Sequence, residues 1–473
     1  MEFVARAGIV LALAAVSACS TYQAKSVSPV ANAHALASRT LDNERLHRFV
    51  AAALSLGGET IPPGTWNLQT LSLAALYYHP DLDIARARLA GALAGIRTAR
   101  QIPNPSLDLG LTYNATTTIP SPWVVGSMVN FVVETFGKRG YRSAEAEYLA
   151  AAARDDLATA TWQVRSRVRG ALLQMWIARE RFSRAQQRLD EQETLVRLIE
   201  HRFDLGEASS LDVTRERINR NQARLAVKDI ERQGAEARAR LAQALGIPLQ
   251  ALHGVTISLE EFEAVPGAPD VSRGELRGRA LTTRSDIHAL LADYQAAQSA
   301  LQLQIARQFP DIRLGPGYTY DQGNHKYELG VPSDLPVFNQ NQGPIAQAEA
   351  RREEIGARFT SLQAQVMAAI DGAATSYRSA SEALRTADTV LSEASQRLKG
   401  VGRGFEAGLL DRPTLVGAQI ELAAAELSRL DALLAQQTSL GLLEDALRMP
   451  FFGAKAGLPV EERNPRVASV RPR

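Results

Sequence analysis

Bond-making chemistry needs recognisable residue sets: a nucleophile beside a base, paired carboxylates, clustered metal ligands or a glycine cradle for phosphate. This sequence offers almost none of them. Its seven histidines stand at 34, 47, 79, 201, 253, 288 and 325, no two at a ligand-type spacing. Gly315-Pro316-Gly317 falls in a strand pattern rather than ahead of a helix, so it makes no phosphate loop. The only cysteine, Cys19, excludes a disulfide framework and any cysteine-based zinc or iron–sulfur site within one chain. The chemistry open to that thiol is acylation. It ends the run Val16-Ser17-Ala18-Cys19, small residues closing an apolar stretch. No enzyme and no cofactor is therefore expected.

The elements around Cys19 read as an export address. Residues 7–18, AGIVLALAAVSA, are too short to span a bilayer, which takes roughly 20 residues, and suit the core of a secretory signal. The Val-Ser-Ala-Cys end resembles a bacterial lipoprotein lipobox, with Val where Leu is commoner. The alternative is a plain signal peptide cleaved near Ala18. Residues 19–64 then read as a tether, polar and small at its start. No later stretch is apolar enough for a membrane helix, so a membrane span has to be made of strands. The 53 basic and 51 acidic residues are interspersed, which excludes a global pull towards nucleic acid.

The body of the chain is one unit written twice. Asn104-Pro105-Ser106-Leu107-Asp108-Leu109-Gly110 aligns with Phe309-Pro310-Asp311-Ile312-Arg313-Leu314-Gly315, and Tyr113 with Tyr318, at an offset of 205. Phe136 aligns with Phe338, Phe203 with Phe405 and Gly206 with Gly408, at an offset of 202. The repeats cover 65–248 and 275–450, with a linker at 249–274 and a tail at 451–473. Each reads helix, strand hairpin (105–135; 310–334), then helical hairpin (138–246; 343–448). Ile370, Tyr377, Leu384, Leu391, Leu398 and Phe405 recur every seven residues beside Ala373, Ala380, Ala387, Ala394 and Val401. Val168, Met175, Phe182, Leu189, Val196 and Phe203 repeat the register, with Gln192 as a polar break. These are heptad seams. A helix over 343–405 is about 95 Å long at 1.5 Å per residue, a rod rather than part of a globule. Gly206 and Gly408 supply left-handed stops, Ser209 or Ser210 and Asp411 the next N-caps, and Pro413 fits a first helical turn. In the strands, Leu107, Leu109, Leu111 and Tyr113 alternate with Ser106, Asp108, Gly110 and Thr112, the pattern of a barrel wall or of an ordinary half-buried hairpin.

Taken together, these features resemble the outer-membrane efflux protein family, the TolC-like factors, and within it the CzcC-like lipoproteins. The resemblance rests on ETFGKRGYRSAEAE (134–147) and LPVFNQNQGPIAQAEA (335–350), His79-Pro80-Asp81-Leu82, and the turns GEASSLDV (206–213) and GLLDRPTL (408–415). It covers nearly all of residues 65–450. It implies a mainly α fold: long coiled-coil hairpins forming a periplasmic tunnel, with four strands per chain contributing to a 12-stranded trimeric barrel in the outer membrane. It further implies a homotrimer, lipid-anchored at Cys19. Its partners would be outer-membrane lipid, a periplasmic adaptor and an inner-membrane transporter of the resistance–nodulation–division type. The activity implied is passive exit of cargo, heavy-metal cations by the subgroup. Drugs, solvents or a secreted protein are alternative cargoes, and a lipid-tethered periplasmic scaffold is the alternative of another class.

Function is expected at the hairpin tips. Gly206, Ser209, Ser210 and Leu211 in one repeat and Gly408, Leu409, Leu410 and Asp411 in the other form small, partly apolar ends, suited to docking an adaptor. The alternative for Leu409 and Leu410 is a staple on their own hairpin. Arg403, Asp411 and Arg412 are expected to form the ion pairs of a closed aperture. His325 is expected in an external turn, as a solvated residue.

Overall fold

The computed structural model describes residues 22–54, 65–115, 121–263 and 275–451. Cys19 and the export segment lie outside them. Two rods dominate: α5 (Lys138–Asp204) has 67 residues and α9 (Gln342–Glu406) has 65. At 1.5 Å per residue each is about 100 Å long. Their return helices, α6 (Ser210–Leu245) and α10 (Arg412–Leu447), have 36 residues each and cover only the tip-ward part of the rods. The rest of each rod packs on α4 (Pro80–Ala99) or α8 (Ser285–Ala306). Short helices thus stack end to end beside a long one. At the first of these joints Gly246 takes φ +72°, and a Cβ there would lie 2.9 Å from the Tyr78 carbonyl oxygen. Only glycine serves such a turn under so close an approach.

A belt of small elements wraps the middle of the rods. It comprises α1 (Pro29–Ala37), α2 (Glu44–Ala53), β1 (Thr65–Trp66), α3 (Leu68–Tyr78) and β4 (Thr256–Ile257), with α7 (Glu275–Thr283) opening the second repeat. Leu41, Leu46, Leu71, Leu82, Leu172, Leu241, Leu245, Phe262 and Leu440 are fully buried there. Two sequence expectations change. The presumed tether is structured over 29–53. Leu46 and Val50, one helical turn apart, enter the core, while Arg39 Nη1 donates to the carbonyls of Tyr78 (2.7 Å) and Gly246 (2.8 Å). The linker, too, is structured over 249–263. Its β4 pairs in parallel with β1, and Leu252, Leu259 and Phe262 are buried. In the first segment Leu46, Phe49, Val50 and Ala53 do fall at helical spacing, a signal that marks a helix; in the second, the two-residue β4 is too short to show a period.

At the other end β2 (Ser106–Tyr113), β3 (Trp123–Val133), β5 (Ile312–Asp321) and β6 (Asn324–Gly330) form one antiparallel sheet in that order. The second hairpin turns on Gln322 and Gly323, both at positive φ, a two-residue turn that matches strand twist. The last pair of the first hairpin is Tyr113 with Trp123. The register pairs Leu109 with Ser127, Ser127 with Tyr318, and Tyr318 with Tyr327. One face therefore carries Leu107, Leu109, Leu111, Val125, Val129, Phe131, Leu314, Tyr318, Tyr327 and Leu329. The other carries Asp108, Asn130, Arg313, Thr319, Lys326 and Glu328.

Candidate functional site

Both rods end in the same capping geometry. Gly206 (φ +78°) and Gly408 (φ +72°) follow the last helical turns. The Glu207 amide donates to the Arg202 carbonyl at 2.8 Å, and the Leu409 amide to the Gly404 carbonyl at 2.8 Å. These bonds satisfy carbonyls that a helix end otherwise leaves unpaired. The next helices start at once. Ser209, not Ser210, is the N-cap of α6: its Oγ accepts from the Asp212 amide (3.2 Å), and Asp212 Oδ2 accepts from the Ser209 amide (3.1 Å). Ser210 opens the helix, its carbonyl accepting from Thr214 Oγ1. In the second repeat Asp411 Oδ1 accepts from the Thr414 amide at 3.0 Å. Two turns held by their own caps are rigid platforms, and each projects a bare leucine: Leu211 is 78% exposed and Leu409 80%. Leu410 behaves differently. It lies over Gly404, where a Cβ would come within 2.8 Å of its Cδ1, and is the staple of its own hairpin.

The ion pair at this end is not the expected one. Asp411 Oδ2 faces Arg202 Nη1 at 3.1 Å, so the pair joins the tip of one repeat to that of the other. Arg202 also lies 3.7 Å from Glu207. Arg403 turns back to its own helix and donates to the Lys399 carbonyl (3.4 Å), while Arg412 is the exposed first residue of α10. The hydroxyl and amide of Thr414, then Arg202, hold the Asp411 carboxyl below the usual carboxylate range. Arg202 aligns with Gly404 in the duplication, so comparison of the repeats gave no hint of it.

Two polar networks inside the rods also escaped sequence reasoning. Gln192, the break in the first seam, is buried and donates to Glu216 Oε2 (2.9 Å) across the hairpin. Near the belt, Glu444 is buried between Arg165 (2.7 Å) and Arg169 (3.1 Å). Arg169 reaches it over Gly441, where a Cβ would sit 1.9 Å from Nη1. That approach accounts for a glycine inside α10.

The sheet has the chemistry of a wall between two solvents. Polar side chains bond to one another on one face: Asn130 Nδ2 donates to Asp108 Oδ2 (2.5 Å), and Thr319 Oγ1 to Glu328 Oε1 (2.8 Å). Glycines thin that face. A Cβ on Gly315 would lie 2.6 Å from Asn130 Oδ1. The apolar face carries aromatic residues near the turns, with Tyr113 against Trp123 (ring centroids 4.8 Å apart) and Tyr318 against Tyr327 (5.5 Å). His325 belongs to β6 rather than to an external turn. It is exposed, as expected, and its Nδ1 bonds to Tyr318 Oη at 2.6 Å on the apolar face. Among the described residues no helix is long and apolar enough to cross a membrane, and no three potential metal ligands cluster.

Residues 71–247 and 276–447, the bulk of both repeats, match the family described as Outer membrane efflux protein. The chain is 27% identical over 359 residues to the cobalt-zinc-cadmium resistance protein CzcC of Cupriavidus metallidurans, covering 75% of this chain and 83% of that protein. It is 28% identical over 391 residues to the pyoverdine export outer membrane protein OpmQ of Pseudomonas aeruginosa, covering 77% and 80%. Its fold matches the crystal structure of the outer membrane protein VceC of Vibrio cholerae with a TM-score of 0.67 at 19% identity, over 81% of this chain and 96% of that one. The duplicated rods, the two-faced sheet and the match across both repeats have one reading: the chain belongs to the outer membrane efflux protein family and is an outer-membrane channel.

Proposed function

We propose that three copies of this chain form the exit duct of a tripartite pump for heavy-metal cations. The observation that carries the reading is the open, two-faced sheet. Its apolar face suits lipid, but its edge strands β2 and β6 would leave backbone groups unpaired in hydrocarbon, at several kcal/mol each. Four strands cannot close alone, since about eight is the minimum. Three sheets of four strands give the twelve the family resemblance implies. The polar face then lines the lumen, and the rods continue it as a tunnel. Leu211 and Leu409, with Gly206, Ser209, Ser210, Gly408, Leu410 and Asp411 around them, seat a periplasmic adaptor that links the duct to an inner-membrane resistance–nodulation–division transporter. Arg202 and Asp411, with Arg403 and Arg412 beside them, narrow the tip end. Cys19 carries the lipid. Support for metal cargo comes from similarity to a cobalt-zinc-cadmium resistance protein and from the junction motifs.

A second cargo, a siderophore, is favoured by the similar identity to a pyoverdine exporter. Deleting the gene separates the two. Metal cargo predicts a several-fold loss of cobalt, zinc or cadmium tolerance, restored by the gene, with siderophore release unchanged. Unchanged metal tolerance with lost siderophore release would reverse the assignment.

A further inference from the structure

The two strand-to-helix junctions are equivalent in sequence but not in structure. In the first repeat the junction is docked on the second. Phe136 stacks on Phe309 (ring centroids 3.9 Å apart, 16° between planes). Thr135 Oγ1 donates to the Pro310 carbonyl (2.7 Å), and Lys138 Nζ to the Phe309 carbonyl (2.6 Å) and Asp311 Oδ1 (2.7 Å). In the second repeat residues 331–340 are exposed throughout, and Phe338, the counterpart of Phe136, is 99% exposed against 58%.

The contacts to the other repeat are lost, together with the ion pair of Arg142 with Glu134 (2.6 Å), whose counterparts in the second repeat are Pro344 and Pro336. What each repeat keeps is a bonded carbonyl at the end of its preceding helix: Arg142 Nε donates to that of Ala99 (2.9 Å), and Asn341 Nδ2 to that of Gln304 (2.7 Å), the position 205 residues on. The seat that Phe338 lacks is the counterpart of 309–311, namely 104–106. Those residues are exposed at the far edge of the sheet, beside β2, whereas 331–340 extend the opposite edge beyond β6.

We infer that 331–340 is a docking segment for a second copy of this chain, with Phe338 seated on the partner subunit's Asn104 and Pro105. The inference rests on the trimer proposed above and adds its contact. The substitutions fit across that boundary. Lys138 with Asp311 in the formed junction becomes Gln340 with the partner subunit's Ser106, a charged pair replaced by a neutral one. Alternation continues as well. Val331, Leu335 and Val337 share the parity of Tyr327 and Leu329, so pairing along the partner subunit's β2 extends the apolar face unbroken.

Full-length protein carrying Phe338→Cys and Asn104→Cys, oxidised in outer-membrane fractions, tests this contact. The expected result is a ladder of covalent dimer and trimer that neither single variant gives. Phe136→Cys with Phe309→Cys should crosslink within the chain, without a ladder. Native mass measurement keeps the two readings apart. A trimer without crosslinks overturns the docking segment and leaves the trimer standing, whereas a monomeric wild-type protein overturns both. Should the double variant fail to accumulate, Phe338→Ala serves instead: a lowered dissociation temperature of the trimer is expected, and no change overturns the contact.

Discussion

Glu444 is the residue on which the belt's electrostatics turn. Its carboxylate is buried with two guanidinium groups, and the Phe451 amide donates to its Oε1 at 3.1 Å. Glu444→Gln leaves two buried cations without a counter-charge and should cost about 3–5 kcal/mol, read as a fall in denaturant midpoint of the detergent-solubilised protein. Replacing all three members by apolar residues of similar volume should cost far less, because the desolvation penalty goes with the charges. Asp411 makes a gentler test. Asn at 411 still caps α10, so Asp411→Asn removes only the charge facing Arg202, worth less than about 1 kcal/mol. Stability should barely move while single-channel conductance in planar bilayers rises. The Asp411 carboxyl is depressed. The pair is therefore at full strength above the ordinary carboxylate value, about 3.9, and is lost as pH falls through the lower folded value. Conductance should stay constant from pH 7 to about 4 and rise only below that. The caps at Ser209 and Asp411 were legible because a cap is set by three or four neighbouring residues. Arg202 was not, because which tip faces which is a property of the packed repeats.

Among the elements, the strands give the sharpest contrast. Leu314 lies on the apolar face beside Phe131, and its neighbour Arg313 on the polar face beside Val132. Leu314→Arg should cost about 2–4 kcal/mol near the bilayer midplane, and Arg313→Gln almost nothing. Urea unfolding of the membrane-reconstituted protein would measure both, and equal costs would contradict this register. Within the first hairpin Leu189 is buried with Ala185, Ala223 and Val227. Leu189→Ala should cost about 2–5 kcal/mol, visible as a lower thermal midpoint. Rods and strands could be read from sequence because their apolar residues recur with a fixed period over many residues. Helix α3 of the belt could not. In α3, Leu68, Thr70, Leu71, Ser72, Leu73, Ala74, Ala75 and Leu76 are buried on every side, which leaves no periodic face to recognise. Residues 249–263 of the linker are held by the pairing of β1 with β4 and by Leu252, Leu259 and Phe262 in the core, contacts with residues far away in sequence.

For the whole molecule, the proposed docking tips and the proposed lipid anchor should be separable from assembly. Gly408→Trp with Leu409→Asp should abolish resistance while the outer-membrane trimer persists on native gels. That outcome would locate the adaptor seat on these turns. Cys19→Ala should abolish labelling by radioactive fatty acid, since the chain has no other thiol. One further consequence follows from the rods. They start at one sheet, differ by two residues in length, and end level enough for Arg202 to meet Asp411. They therefore act as a ruler between the outer membrane and whatever meets the tips. Because the seam repeats every seven residues, that ruler is graduated in steps of about 10 Å. Removing one heptad from all four arms should give a shorter duct that still assembles, whereas removing it from one repeat should leave the tips out of step. Cells whose periplasm is narrowed by a shortened envelope tether should tolerate the first variant better than the original. The length of the duct is, on this view, written into the heptad count of the chain.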